Sequence, residues 1–103
     1  MKVLFDVDVV LDLLLDRAPF SKDAAVLLSM AERGQLVGHI CATAVTALYY
    51  IVRKAIGERR ARAELRKLLS FLEPLVVNRA VLESALDTQF RDFEDAVSHE
   101  AAR

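Results

Sequence analysis

The run Lys2-Val3-Leu4-Phe5-Asp6-Val7 limits the choice of fold more than any other segment. It is short, rich in β-formers and apolar on both faces, the pattern of a parallel strand covered by helices above and below. The rest of the chain supplies the cover. Val9 to Asp16 reads as a short Leu-rich helix with Asp8 as its cap, broken by Asp16-Arg17-Ala18-Pro19. A helix opening at Phe20 or Ser21 runs to about Arg33, with Ala24, Leu27, Leu28 and Ala31 on one face and Gly34 as its stop. Leu36 to Cys41 predicts a second strand, Thr43 to Ile56 and Glu58 to Leu72 two further helices, and Pro74 to Val77 a third strand. Asn78 and Asp92 are placed to cap two last helices.

Strands separated by helices imply right-handed crossovers and a parallel sheet. The expected fold is therefore α/β, a small parallel sheet of about three strands covered by helices. At 103 residues, residues 1–103 form a single domain. The chain is 54% hydrophobic with no Trp, which leaves Leu, Val, Ile and Ala to build the core and argues against an all-β design. Charges interrupt every apolar stretch well short of the ~20 residues a membrane span needs. The start of the chain lacks the uncharged stretch of a signal peptide, and the single cysteine, Cys41, forms no internal disulfide, so a cytoplasmic setting is expected.

A net charge of −1 conceals an uneven distribution. Residues 1–32 hold six acids and three bases, residues 33–72 two acids and eight bases, and residues 73–103 seven acids and three bases. A polyanion-binding protein with acidic metal ligands has this pattern, and so does a domain with a solvated basic helix face. Asp6, at the end of a covered strand, is the most informative acid, because a buried charge needs compensation. A divalent ion supplies it in one reading, a helix cap or an arginine partner in the other. Asp8 lies two residues on, and Asp92, Glu94 and Asp95 form a second acidic group in which Asp92 and Asp95 also resemble a capping box. His39 and Cys41 read as packing residues, and His99 as an exposed one. Arg53, Lys54, Arg59, Arg60, Arg62, Arg66 and Lys67 form the basic group, preceded by Tyr49 and Tyr50.

Taken together, Val-Leu-Phe-Asp6-Val-Asp8-Val-Val-Leu-Asp12, Ile40-Cys-Ala-Thr43-Ala-Val-Thr46-Ala-Leu-Tyr-Tyr, and Asp92-Phe-Glu-Asp95-Ala resemble the PIN-domain family, specifically the VapC-type toxins of bacterial toxin–antitoxin pairs. The resemblance implies an endoribonuclease dependent on Mg²⁺ or Mn²⁺. It makes Asp6 and Asp95 the catalytic metal ligands, with Asp8 and Asp92 as further ligands. It also implies that Thr43 and Thr46 position water or phosphate, and that Arg53, Lys54, Arg59 and Arg60 bind RNA. The implied partners are RNA and a VapB-type antitoxin.

Three departures stand out. Asp8 occupies a position where many members have Asn. Ala47 stands where many carry a metal-binding Glu after Thr46, leaving Asp92 or Glu94 to replace it. The family's further strand and fourth acid have no counterpart before Arg103. Without that strand, Val3 to Val7 becomes an open edge, which predicts either an oligomer or a longer natural chain. The same departures support an alternative: a catalytically defective PIN-like module that binds an antitoxin or itself.

Overall fold

A computed structural model describes residues 1–17 and 22–103. The elements are β1 (Lys2–Leu4), α1 (Val7–Leu14), α2 (Lys22–Glu32), β2 (Val37–Cys41), α3 (Ala42–Ile56), α4 (Glu58–Leu69), β3 (Leu72–Leu75), α5 (Arg79–Leu86) and α6 (Phe93–Ala102). The strands form one parallel sheet in the order β1-β2-β3. Lys2 is paired with Val37, and Gly38 with both Val3 and Leu72. This is the small α/β architecture with three parallel strands that the sequence predicts.

β2 is the central strand, and successive residues on it face opposite ways. The Gly38 side meets Ala31 of α2, Leu72 of β3 and the ring of Phe5. The His39 side opens on a hollow lined by Lys2, Val3, Leu4, Leu75 and Ala102, which puts the end of α6 on that face. α3 packs on β2, α1, α4 and α6. Its buried residues Ala44, Leu48 and Val52 recur every four positions and form a stripe toward the core, where they join Val10, Ile40 and Cys41.

Three boundaries differ from expectation. β1 ends at Leu4, and α1 begins at Val7 with Asp6, not Asp8, as its cap. Asp6 has extended backbone (φ −90°, ψ 168°) and its carboxylate accepts a hydrogen bond from the Val9 amide at 2.9 Å, which leaves Asp8 in the first turn. α4 ends at Leu69 and β3 begins at Leu72, because buried Leu72 is claimed by the pairing with Gly38. Pro74, which lacks an amide donor, is tolerated because β3 is an edge strand. The expected opening of α2 at Phe20 or Ser21 lies outside the described residues. The two predicted caps at Asn78 and Asp92 are in place: Asn78 accepts from Val81 N at 3.0 Å, and Asp92 from Glu94 N at 2.9 Å and Asp95 N at 3.3 Å.

Gly57 has φ +91°, a conformation that suits glycine, and it turns α3 directly into α4. Gly38 is glycine for a different reason. A Cβ there would lie 2.5 Å from Leu72 Cδ2, 3.0 Å from Phe5 Cε2 and 3.1 Å from Ala31 Cβ. Gly38→Ala overpacks the point where sheet and helix meet, so a loss of about 1–3 kcal/mol is expected, read as a lower urea midpoint.

Candidate active site

The carboxyl ends of the parallel strands set the location. In open α/β sheets this edge is where chain leaves the sheet and ligands bind. Asp6 follows β1 by two residues, and Thr43 follows β2 by two residues, in the first turn of α3. α6 approaches from the far end of the chain and packs on β2 and α3. Its opening sequence Asp92-Phe-Glu-Asp95 therefore arrives near Asp6 and Asp8 although more than eighty positions separate them in the chain.

Electrostatics record that meeting. The Asp95 carboxyl is pushed above its usual range by burial, then by the negative charges of Asp92, Asp6 and Asp8. Glu94 is raised in the same direction by burial, then by Asp92, Asp95 and Asp8. All four acids expected at a metal site, Asp6, Asp8, Asp92 and Asp95, thus lie within one field, and Glu94 joins them. Glu94 Oε1 is buried and accepts no hydrogen bond. The sequence offers Glu94 only as a substitute for the glutamate replaced by Ala47. The signal for a larger role is its place between two helix-opening acids, which sequence alone cannot orient toward Asp8.

Asp6 itself corrects an expectation. Its side chain is exposed and beyond the strand, so burial alone does not demand a counterion. Asp6 and Asp92 serve as helix caps, the competing reading of each residue, and their oxygens face backbone amides. Among the described residues, no three His, Cys, Asp or Glu side chains converge closely enough to enclose an ion as they stand. The chemistry of the donors nonetheless fits one. Several carboxylates and no sulfur ligand suit a hard, oxygen-seeking cation, and their mutual repulsion is what such a cation relieves.

The remaining residues divide into two places. Thr43 and Thr46 are exposed on the first turns of α3, and Thr43 Oγ1 lies 3.3 Å from Cys41 Sγ. Arg53 and Lys54 close α3, and Arg59 and Arg60 open α4 across the Gly57 turn. Ten residues of helix separate Thr43 from Arg53, about 15 Å of rise, so the basic group does not touch the acidic edge. His99 is exposed and packs on Phe90 with ring centroids 5.2 Å apart, Cys41 is fully buried, and His39 is half-buried with Nδ1 unpartnered.

The raised carboxyls have a consequence for stability. An unfolded chain releases these protons in the ordinary carboxylate range and the folded chain at higher pH, so the native state holds more protons between the two values. Stability contributed by these groups is present below the ordinary carboxylate range and falls as pH rises through the elevated values. Glu94→Gln removes one such titration. In metal-free buffer it is expected to be more stable than the parent at neutral pH, with the gap closing in acid, as read by urea unfolding at the two pH values.

Comparison with known proteins gives one match. The family model described as PIN domain matches residues 2–103. No curated protein and no solved structure matches the chain. PIN domains are generally divalent-metal-dependent nucleases, which accords with a carboxylate cluster at the edge of a small parallel sheet. With the match running from the first strand through the last helix, the chain belongs to the PIN-domain family.

Proposed function

We propose that this chain is an endoribonuclease of the VapC toxin type, hydrolysing RNA phosphodiester bonds with Mg²⁺ or Mn²⁺. The observation that carries the reading is the gathering of Asp6, Asp8, Asp92 and Asp95 at one sheet edge, where burial and then the charges of Asp92, Asp6 and Asp8 raise the Asp95 carboxyl. Asp6 and Asp95 would hold the ion, with Asp8 and Asp92 beside them. The bound ion supplies charge neutralisation at the scissile phosphate and activation of the attacking water. Thr43 and Thr46 offer hydroxyls that orient water or a phosphate oxygen at the same edge. Glu94 adds a further carboxylate where Ala47 offers none.

The proposed partners are RNA, a VapB-type antitoxin and a second copy of the chain, in the cytoplasm. Among the described residues β1 is an edge strand paired with β2 on one side, and its open edge supports self-association. Among the described residues, no helix is long and apolar enough to cross a membrane.

A second reading, an interaction module without catalysis, draws on Ala47 and on an apolar groove between α1, α2 and α4. Leu13, Leu14, Leu28 and Phe71 line it, with Glu32 and Lys67 on its rim. Metal affinity separates the two readings. Because Asp6 caps α1, Asp6→Ala would mix cap loss, about 1 kcal/mol, with ligand loss, whereas Asp6→Asn retains the cap and removes the charge. A nuclease predicts saturable Mn²⁺ binding by calorimetry. Asp6→Asn and Asp95→Ala should each weaken it by more than the roughly 10–100-fold typical of losing a ligand's hydrogen-bond partner, and RNA cleavage should disappear with it. Folded protein that takes up no Mn²⁺ would favour the interaction module.

A further inference from the structure

The outer face of α3 joins the acidic edge to the basic corner. Thr43, Thr46, Tyr50 and Arg53 are all exposed, and their spacing of three, four and three residues aligns them in one stripe. It starts at the carboxyl edge beside the acids and ends at the basic turn around Gly57.

Tyr50 is the unusual member. Its side chain is a large aromatic left 58% exposed. The ring is nevertheless held: the Arg53 guanidinium lies over it, 5.5 Å from the centroid, and Tyr49 meets it edge to face at 5.3 Å and 79°. Tyr49 is anchored in turn. Its hydroxyl donates to Glu58 Oε1 at 3.4 Å, and Arg62 lies over its ring while pairing with Glu58 at 3.0 Å. The result is an aromatic ring that is more than half exposed and set among cations.

The charge around the ring selects its occupant. Among the described residues, no ion pair engages Arg53, Lys54, Arg59 or Arg60. The acid within this corner, Glu58, is committed to Arg62 and Tyr49. A second copy docked face to face would set these cations against their own kind. A single-stranded nucleic acid instead offers a base for the ring and phosphates for the cations.

We infer that Tyr50 is a base-stacking platform for single-stranded RNA, with Arg53 holding the neighbouring phosphate, on a track along α3 that leads to the acidic edge. The inference deepens the ribonuclease reading and rests on it for the direction of the track. It assigns recognition of an unpaired base to a residue about 10 Å along the helix from Thr43. Duplex RNA, with its bases already stacked, has no face to give the ring.

The test measures binding without cleavage. A fluorescein-labelled single-stranded RNA decamer is titrated in EDTA against the parent, Tyr50→Phe, Tyr50→Ala and Arg53→Gln, with the duplex form as a control. Loss of one stacked base corresponds to roughly 5–150-fold weaker binding for Tyr50→Ala. Tyr50→Phe keeps the ring and should stay within about twofold, and Arg53→Gln should lower the salt slope by about one. The inference is overturned by equal affinity of Tyr50→Ala and parent, by an equal loss on duplex RNA, or by parent protein that does not bind the single strand. It is also overturned by a parent dimer in sedimentation that Tyr50→Ala dissolves. Because EDTA removes metal from the assay, a failure of catalysis leaves this result intact. Cleavage by the parent with unchanged Tyr50→Ala affinity would sink the platform alone.

Discussion

Sheet and helix come close at Gly38, where the space its absent side chain leaves is filled by Leu72, Phe5 and Ala31. That close approach draws β3 and α2 against β2, the central strand. It also sets the register in which Leu72 rather than Pro74 opens β3. With β2 fixed, Cys41 delivers the chain into α3 without a loop, and α3 becomes the helix on which α1, α4 and α6 assemble. Strands of three, five and four residues form a small sheet. Most of the apolar burial therefore comes from helices, in keeping with a composition poor in aromatics and rich in Leu, Val and Ala.

The acidic edge follows from the same geometry and works against it. Parallel strands bring successive helix starts to one side, and helix starts favour carboxylates because unpaired amides and the helix dipole meet there. Asp6, Asp8, Asp92, Glu94 and Asp95 each occupy a cap or a first turn, and each is locally favourable. Collected at one edge, they repel one another, and burial followed by that repulsion raises the Glu94 and Asp95 carboxyls. Local stabilisation and collective strain thus share one set of residues. A cation placed among them would remove the strain while competing for the oxygens that cap the helices.

Much of this organisation is legible in the sequence. The element order and parallel sheet follow from apolar runs separated by helical periods, and the Asn78 and Asp92 caps from residue type and spacing. The start of α1 is not legible, because Asp6 and Asp8 are equally good caps and only the chain's path out of β1 chooses between them. Sequence pattern overstates the burial of Asp6 for the same reason: Val7 looks like a strand residue but belongs to a helix. The pairing of Asp95 with Asp6 depends on where α6 lands after five intervening helices, information that no local pattern holds. Nor can spacing separate Tyr49 from Tyr50, since adjacent residues on a helix differ by about 100° of arc and the core decides which turns inward.

The proposed second use of Asp6 and Asp92, as cation ligands besides helix caps, bears on how such a domain changes over generations. A cap needs only a short side chain with an acceptor oxygen, and Asn or Ser meets that need as well as Asp does. A cation site needs the negative charge. Single codon changes at either position therefore leave the helix starts, and with them the fold, nearly as stable as before while emptying the edge of its chemistry. Selection for a stable chain does not see the loss. In a lineage where activity ceases to matter, charge at these two positions is free to drift away while the architecture endures, so folded but silent descendants lie a single substitution from active ones.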